Sequence, residues 1–316
     1  MLAEVADFLT WPPRQLGILP GFESGPVEMP LNAGIVGLRT RSFEHHADTR
    51  WLMAYAAGLE DHSGRYMDTA THQVVAHPVF PVCLEWPAIL DCAKLPGADT
   101  ATAEERARGV HAAHDLHIYR PIRAGETLTT TAHVIGMRGI KPGAAQTMRL
   151  DTVDTAGELV ARTYQLSISR GVEIVGEAVE SESAPPLPDV ESVRGFGSYP
   201  EIAIPVAAGA AHVYTECARI WNPIHTDRSV ALEAGLPDII LHGTATMALA
   251  VSRIVERVVD GDPSRVRRLG GRFSAMVLMP STMRLVIHGV REGLVAFTVL
   301  TEDGQPAFSE GFLCFE

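Results

Sequence analysis

Two stretches in the second half of the chain carry residues suited to moving a proton and stabilising negative charge. Residues 221–227 hold His225, two positions after Pro223. A histidine titrates near neutral pH, so its imidazole can act as a general base or a general acid. Residues 240–243 end in Gly243, which opens a strongly apolar segment. A backbone N–H at the positive beginning of a helix can stabilise negative charge on a bound oxygen atom.

Helices on both sides of these stretches are expected to position them. Residues 208–219 are rich in Ala, Glu and Arg and lack proline, which predicts a helix. Asn222-Pro223 ends it, because proline lacks an N–H and pushes the preceding residue out of the α region. Thr226 is predicted to cap a short helix over 227–234, with Gly235 as its stop. A long helix is predicted over 243–259, with an apolar face of Met247, Val251, Ile254 and Val258.

The composition limits the classes of protein to which the chain can belong. Its 316 residues are 46% hydrophobic and 20% charged, which is typical of one or two globular domains. A formal charge of −12 argues against nucleic acid as a partner, and no apolar run is long enough to cross a membrane. The N-terminus has no signal-peptide pattern, and the four cysteines show no CxxC spacing. We therefore expect a soluble cytoplasmic protein without a zinc cage.

The same order of predicted elements occurs twice. After an irregular lead-in over 1–35, the first half contains a strand (36–43), a helix (48–59), a polar loop (60–71) and a buried helix (82–95). Strands follow over 116–119, 128–134, 147–153 and 159–167. Residues 173–189 are acidic and end in a proline-rich run, which indicates a linker. The second half ends in strands over 272–278, 282–290, 294–301 and 307–315.

Matched residues about half a chain apart indicate an internal duplication. Tyr55 corresponds to Tyr214, and His77 corresponds to His242. Each unit combines one long apolar helix with an antiparallel sheet, so the predicted fold class is α+β. We expect the units at 36–172 and 190–316, with their sheets joined edge to edge.

The residues around His225 resemble the signature of the MaoC-like (R)-specific enoyl-CoA hydratases and 3-hydroxyacyl dehydratases. The matching residues are Asn222, Pro223, Ile224, His225, His242 and Gly243, and Ser252 matches a polar active-site position of the family. The resemblance implies a double hot dog, in which each unit wraps an antiparallel sheet around one helix. It implies an acyl thioester of coenzyme A or an acyl carrier protein as substrate, and neither a metal nor an organic cofactor. A homodimer of these pseudo-dimers is left open.

The resemblance also implies roles for individual residues. His225 is expected to be the general base or acid, and the Gly243 N–H is expected to bind the thioester carbonyl oxygen. Asn222 is expected to orient the loop or the water, and Ser252 is expected to line the acyl pocket. His242 is expected to be structural.

One position departs from the family's motif. Ile220 stands five residues before His225, where the family has an aspartate, and Arg219 stands at a usual glycine. Three carboxylates are candidates to replace that aspartate: Glu216, the first choice, which lies one helical turn before Ile220; Asp227, which is expected to cap the next helix; and Asp61 of the first half.

The first unit is expected to be non-catalytic and to shape the tunnel for the acyl chain. Tyr66 takes the place of His225 there. Pro78 takes the place of Gly243 and has no N–H to offer a substrate oxygen.

Two further clusters are weaker candidates for sites. Strict alternation along a strand puts His114 on the opposite face from His111 and His117, which argues against a metal site. Four arginines could bind coenzyme A phosphates or form a solvated strand edge, namely Arg265, Arg267, Arg268 and Arg272.

The sequence therefore predicts a hydro-lyase that interconverts a 2-enoyl and an (R)-3-hydroxyacyl thioester. Because Ile220 replaces the aspartate, a catalytically disabled protein that binds acyl-CoA or acyl-carrier thioesters is an alternative. A hot-dog thioesterase is a third hypothesis, which requires a carboxylate aimed at the thioester carbonyl.

Overall fold

The computed structural model describes residues 31–100, 109–141 and 143–316. The helices are α1 (Thr49–Gly58), α2 (Gly64–Met67), α3 (Pro81–Asp91), α4 (Ala210–Ala218), α5 (Arg228–Glu233) and α6 (Gly243–Val258). The strands of the first half are β1 (Leu31–Asn32), β2 (Phe43–Ala47), β3 (Gly109–Ile118), β4 (Glu126–Ile140), β5 (Gly143–Asp154), β6 (Leu159–Arg170), β7 (Ile174–Val175) and β8 (Val179–Glu180). Those of the second half are β9 (Ile202–Val206), β10 (Val266–Phe273), β11 (Ser281–Arg291), β12 (Leu294–Leu300) and β13 (Pro306–Phe315).

One antiparallel sheet runs through both halves of the chain. Its order is β2-β4-β5-β6-β3-β10-β13-β12-β11-β9, with β8 paired to β4 at the side. Read from each outer edge to the middle, the two halves have the same order of strands. They are therefore related by pseudo-two-fold symmetry, as the internal duplication predicted. The halves meet where β3 pairs with β10, with Leu116 opposite Leu269.

Each half wraps its sheet around one apolar helix. Met247, Val251 and Ile254 of α6 are fully buried in the same core as Phe297 of β12. The α3 helix takes the corresponding place in the first half, and its Leu84 belongs to that core. Burying one such side chain contributes roughly 1.5–3 kcal/mol. The α+β double hot-dog fold expected from the sequence is confirmed. Among the described helices, none combines the length and the apolar character needed to cross a bilayer.

A buried ion pair fastens the junction between the two halves. Arg268 of β10 donates to both carboxylate oxygens of Asp115 of β3, each at 2.8 Å. His117 Nε2 lies 3.1 Å from the same carboxylate. Arg268 also donates to the Pro186 carbonyl oxygen, so the segment between the halves is held against the outer face of the sheet.

Two predicted strands differ from the structure in their bounds. Residues 36–42 form no strand, because Gly37 has a φ of +92° and this stretch bonds to β4 only at separated positions. The strand β2 therefore begins at Phe43, where the predicted strand ends. The prediction of a strand over 272–278 was also displaced, because β10 pairs with β3 and β13 from Val266 onward and ends at Phe273.

Two predictions about short helices also differ from the structure. The loop predicted over 60–71 contains α2, whose first turn is capped by Ser63. The cap of α5 is Asp227 and not Thr226, because the Asp227 carboxylate accepts from the N–H groups of Ser229 and Val230. An ionised carboxylate accepts such bonds more strongly than a hydroxyl.

The predicted linker over 173–189 lies along the first half of the sheet. Its β7 pairs with β1 and its β8 pairs with β4. The Ser181 N–H donates to the Ile135 carbonyl oxygen at 2.8 Å, and Glu182 forms an ion pair with Arg149. Of the lead-in predicted over 1–35, residues 1–30 lie outside the described residues.

Candidate active site

His225 lies in a tight turn between α4 and α5. The Asn222 side chain accepts from the Ile224 N–H at 3.4 Å, and Pro223 begins the 3-10 helix Pro223–His225. The imidazole is 9% exposed, and its Nδ1 lies 2.8 Å from the Ile240 carbonyl oxygen. A carbonyl only accepts, so Nδ1 carries the proton and Nε2 keeps its lone pair.

The surroundings of His225 keep its ring neutral. Burial lowers the pKa of His225 to about 4, and the hydrogen bond to Ile240 offsets only part of this effect. At neutral pH the unprotonated Nε2 is therefore available to accept a proton.

His242 holds the plane of the His225 ring. The two rings are stacked, with centroids 3.7 Å apart and an angle of 25° between their planes. Thr215 Oγ1 of α4 is hydrogen-bonded to His242 Nε2 at 3.2 Å. Burial, and then the neighbouring His225, lower the pKa of His242 to about 2. His242 is therefore uncharged, and its ring packs against the ring of His225.

Gly243 begins α6 directly beside this stack. His242 is the residue before the helix and supplies no side-chain cap. Within the described ranges, the Gly243 N–H has no hydrogen-bond acceptor, and it stands at the positive end of a 16-residue helix. A Cβ atom on Gly243 would lie 2.8 Å from Phe273 Cδ1, so any larger residue would force this ring to move.

Two tyrosines support the beginning of α6, and sequence reasoning identified them only as a repeat. Tyr214 donates to Thr244 Oγ1 at 3.1 Å, and its hydroxyl oxygen lies 3.2 Å from that of Tyr55. The Tyr214 and His242 ring centroids are 5.0 Å apart. The signal in the sequence was the equivalence of the two tyrosines, which places them at the pseudo-two-fold axis.

Asn222 and Glu216 line a surface cavity on the outer side of the His225 turn. Its volume is about 310 Å³, and its other lining residues are His212, Thr215, Trp221, Pro223 and Thr226. Glu216 is exposed and has no hydrogen bond to His225 among the described residues.

Glu216 and Ile220 were expected to lie on the same face of one helix, but the helix ends before Ile220. The α4 helix ends at Ala218, and Arg219 is left-handed with a φ of +58°. Ile220 therefore lies beyond the helix and is 6% exposed in the core. The left-handed backbone accounts for a glycine preference at position 219. Arg219 occupies it with its guanidinium 3.8 Å from the Trp51 ring, which favours the side chain.

The other two candidate carboxylates accept hydrogen bonds from other groups. Asp227 caps α5, and Asp61 accepts from the Ser63 N–H at 3.2 Å. Within the described part of the chain, no carboxylate is hydrogen-bonded to His225.

Ser252 is joined to the first unit and not to His225. His77 Nδ1 accepts from the Val79 N–H at 3.1 Å, so His77 Nε2 carries the proton and donates to Ser252 Oγ at 3.1 Å. Both side chains are buried, and burial lowers the pKa of His77 to about 3. This bond connects the interior of α6 to the segment before α3.

The first unit repeats the geometry of the site with different residues. His77 lies 5.8 Å from Tyr55 between ring centroids, as His242 lies 5.0 Å from Tyr214. Tyr66 lies 5.7 Å from His77, at the place where His225 stacks on His242. A tyrosine whose pKa burial raises well above 10 cannot replace a neutral imidazole as a base.

The remaining clusters take other roles. The register of β3 against β6 shifts between His111 and Ala113, so His111 lies on the same face as His114, with ring centroids 5.2 Å apart. The expectation that His111 lies on the opposite face from His114 was therefore wrong, whereas His117 does lie on the opposite face, beside Asp115. In the described residues, no group of three His, Cys, Asp or Glu side chains is placed to hold a metal ion. Each of the four arginines considered for phosphate binding faces an acidic partner: Arg265 with Asp260, Arg267 with Glu316, Arg268 with Asp115 and Arg272 with Glu310.

Comparisons with known proteins match both halves of the chain. The family described as "MaoC like domain" matches residues 198–306, and that described as "FAS1-like, dehydratase domain region" matches residues 35–163. A 3-hydroxyacyl-thioester dehydratase Y of Mycobacterium tuberculosis is 25% identical over 288 residues, which is 88% of this chain and 95% of that protein.

Two further proteins, one matched by sequence and one by structure, are also described as a hydratase or a dehydratase. A peroxisomal enoyl-CoA hydratase 2 of Arabidopsis thaliana is 26% identical over 199 residues, or 58% of this chain, and the match spans only 61% of that relative's length. The crystal structure of a MaoC-like dehydratase from Phytophthora capsici has a TM-score of 0.74 at 21% identity, covering 89% of this chain and 97% of that chain. At this identity the structural likeness concerns the fold.

Proposed function

We propose that this chain, which belongs to the MaoC-like hydratase and dehydratase family, is a hydro-lyase that interconverts 2-enoyl and (R)-3-hydroxyacyl thioesters. The observation that carries the proposal is the neutral His225 imidazole, with Nε2 unprotonated, stacked on the residue that precedes the first turn of α6. The names of the two sequence relatives support a thioester substrate, and that of the Arabidopsis thaliana hydratase specifies coenzyme A.

Hydration would proceed through one imidazole and one main-chain amide. His225 Nε2 takes a proton from water as the water oxygen bonds to C3 of the enoyl group. The π electrons of the C2–C3 bond move toward the thioester carbonyl, whose oxygen becomes an enolate bound by the Gly243 N–H. The imidazolium then returns the proton to C2, which leaves His225 neutral and the 3-hydroxyacyl thioester complete.

The low pKa of His225 suits the second of these steps. An imidazolium in a site that lowers its pKa to about 4 is a stronger acid than a free one, so it returns the proton readily. The same ring is a weaker base in the first step, which the helix N-terminus offsets by stabilising the enolate. A carboxylate at position 220 is not required by this scheme.

The remaining site residues are assigned to substrate binding. Asn222 shapes the turn and, with Glu216, lines the cavity of about 310 Å³ beside the His225 turn, which we propose as a substrate-binding surface. Ser252 sits deeper on α6, where its bond to His77 sets the wall between the two units. We assign catalysis to the unit at 190–316 and a non-catalytic, tunnel-shaping role to the unit at 36–172, with residues 173–189 between them.

Three finer assignments extend the proposal. Coenzyme A is the carrier that we expect, with an acyl carrier protein as the alternative thioester. We expect a cytoplasmic location, which the four free cysteines suit, and further assembly would be a homodimer of the built-in pseudo-dimer.

One observation favours a second function. Ile220 stands where the family motif has its aspartate, and no carboxylate among the described residues is bonded to His225. These facts support a protein that binds acyl thioesters without converting them.

Incubation with crotonyl-CoA and with longer and branched enoyl-CoAs separates these functions. Loss of the absorbance of the conjugated thioester without free thiol is the expected result, and it indicates hydration. Release of thiol would indicate a thioesterase, and saturable binding without either change would indicate the binding protein.

The variant Ile220→Asp provides an independent test of the second function. We expect turnover to fall, because a carboxylate at a 6%-exposed position is poorly solvated and alters the surroundings of His242. A rise in turnover would instead mean that the native site is disabled.

A further inference from the structure

Two histidines of the first unit lie on the inner face of the sheet. His111 and His114 share a face because of the bulge in β3. Leu116, two residues after His114, is fully buried in the core that includes α6, so this face is the one covered by the helices. Asp115 and His117 point to the other face, where Arg268 contacts the segment between the units.

Polar side chains continue from His114 across the inner face to α3. In the register of β3 against β6, Gln165 lies opposite His114 and Thr163 lies opposite Leu116. The Thr163 hydroxyl donates to the carboxyl group of Glu85, which projects from α3. His114, Gln165, Thr163 and Glu85 are each no more than 4% exposed. We call these four residues the inner polar strip.

The hydrogen-bonding capacity of His114 is unused within the described protein. Neither its Nδ1 nor its Nε2 has a partner there, although the ring is 1% exposed. Buried polar groups are nearly always paired, and leaving one unpaired is destabilising. A neutral imidazole presents one donor and one acceptor. A group that can both accept and donate would satisfy it.

The inner polar strip is adjacent to the proposed catalytic site. The Phe273 ring lies against Gly243, where an added Cβ would meet it at 2.8 Å. The Phe273 ring also makes a T-shaped contact with His111, with ring centroids 4.6 Å apart. His111 in turn neighbours His114. One aromatic side chain and one imidazole therefore separate the proposed oxyanion donor from the inner polar strip.

The charge state of the inner polar strip favours a neutral ligand group. Burial raises the pKa of Glu85 to about 7, which the bond from Thr163 partly offsets, and burial lowers the pKa of His114 to about 4. His114 is therefore uncharged at neutral pH. A carboxylate on the ligand would meet the partly ionised Glu85 and be repelled. A hydroxyl or carbonyl group avoids that repulsion.

We propose that the inner polar strip binds a hydrogen-bonding group on the acyl chain, so that the preferred substrates are enoyl thioesters carrying a hydroxyl or carbonyl oxygen remote from the double bond. This inference rests on the proposed function. A plain hydrocarbon chain would leave His114 without a partner. A site built to bond a hydroxyl discriminates strongly against the analogue that lacks it.

Binding of saturated acyl-CoAs, which cannot be hydrated, tests the inference apart from catalysis. Calorimetry would compare decanoyl-CoA with 10-hydroxydecanoyl-CoA, together with shorter and longer pairs of the same design. We expect the wild-type protein to bind the hydroxylated member of at least one pair about tenfold more tightly. Equal affinities in every pair would mean that the inner polar strip is only a hydrated part of the core and not a ligand site, and would overturn the inference.

Variants on the two faces of β3 identify the residues responsible. His114→Leu should abolish the preference, and His117→Leu, on the opposite face of the same strand, should keep it. A preference that survives in His114→Leu would overturn the assignment. Should His114→Leu fail to fold, Gln165→Leu provides the same comparison.

The hydration assay with crotonyl-CoA distinguishes failure of this inference from failure of the proposed function. Hydration of crotonyl-CoA without any preference for hydroxylated chains leaves the function intact and overturns the inner polar strip as a ligand site. A preference in binding without hydration of any enoyl-CoA keeps the ligand site and overturns the hydro-lyase.

Discussion

The hydroxyl oxygens of Tyr55 and Tyr214 lie 3.2 Å apart, at equivalent positions of α1 and α4, and so join the two halves of the molecule. Tyr214 extends this contact to Thr244 in the first turn of α6. Both tyrosines are no more than 1% exposed, so water does not readily replace either bond. The pair therefore fixes the helix beginning that carries the proposed amide donor.

Replacing Tyr214 with Phe should separate positioning from simple stability. The variant loses the bond to Thr244 and leaves the Tyr55 hydroxyl with one partner fewer, so we expect a loss of about 1–3 kcal/mol in the free energy of unfolding. Because the first turn of α6 becomes less fixed, kcat should fall several-fold with KM little changed. Tyr55→Phe should affect kcat less. An unchanged kcat in a destabilised Tyr214→Phe protein would assign the tyrosine to stability alone.

Replacing His225 with Ala should remove the proton-transfer group. We expect kcat for crotonyl-CoA hydration to fall by about 10²–10⁴-fold, which is the usual contribution of a positioned acid or base. His46→Ala is the control, since His46 is exposed on the edge strand β2 of the first half, outside the proposed site. Turnover of His225→Ala close to that of the wild type would refute the assignment.

The pH profile provides a second test of His225. The base form exists above the pKa of about 4, so kcat/KM should stay level from pH 7 to about pH 5.5 and decrease only at lower pH. A solvent-exposed histidine would halve kcat/KM near pH 6.5. An acidic limb at that pH would show that the ring is not held neutral by burial.

Replacing Gly243 with Ala tests the contact with Phe273. The added methyl group would lie 2.8 Å from the Phe273 ring, so we expect a loss of roughly 1–3 kcal/mol in stability and a marked decrease in kcat. Gly209→Ala, before α4, is the control, because no atom lies within 4 Å of its added Cβ. Adding Phe273→Leu to Gly243→Ala should relieve the clash. Thermal unfolding and the enoyl-CoA assay measure both effects, and full activity in Gly243→Ala alone would contradict the packing described.

Replacing Glu85 with Gln should change the dependence of stability on pH. Burial raises the pKa of Glu85 to about 7 from 4.5, so the folded state binds the proton more tightly than the unfolded state. The stabilisation contributed by the protonated Glu85 carboxyl group is complete below pH 4.5 and is lost as pH rises through 7. Relative to wild type, Glu85→Gln should gain roughly 1–3 kcal/mol of stability between pH 5 and pH 8. Thr163→Val is the companion variant, and a difference independent of pH would contradict a buried, protonated carboxyl.

The fold and the turn that carries His225 were predictable because each leaves a local pattern in the sequence. The apolar face of α6 repeats at helical spacing, and Asn222-Pro223 marks the turn that carries His225. The duplication was visible from the repeated order of predicted elements and from the matches of Tyr55 with Tyr214 and of His77 with His242. Such features depend on neighbouring residues, which a sequence displays directly.

Features that depend on packing between distant segments were not predictable. Ser252 matched an active-site position, yet its partner is His77, which lies 175 residues away in the chain. The relation between Glu216 and Ile220 assumed a continuous helix, and the left-handed Arg219 ends it first. The bulge beside His111 reverses the face expected from alternation, because one extra residue changes which side of a strand every preceding side chain occupies.

The shared sheet also determines how copies of the molecule can associate. Its outermost described strands, β2 and β9, have five residues each. Pro205 of β9 has no backbone N–H to donate to another strand. Short edges that contain proline resist the addition of a strand from another molecule. Polymerisation by sheet extension is therefore disfavoured at the two ends, and any larger assembly must form through side-chain surfaces and not through backbone pairing.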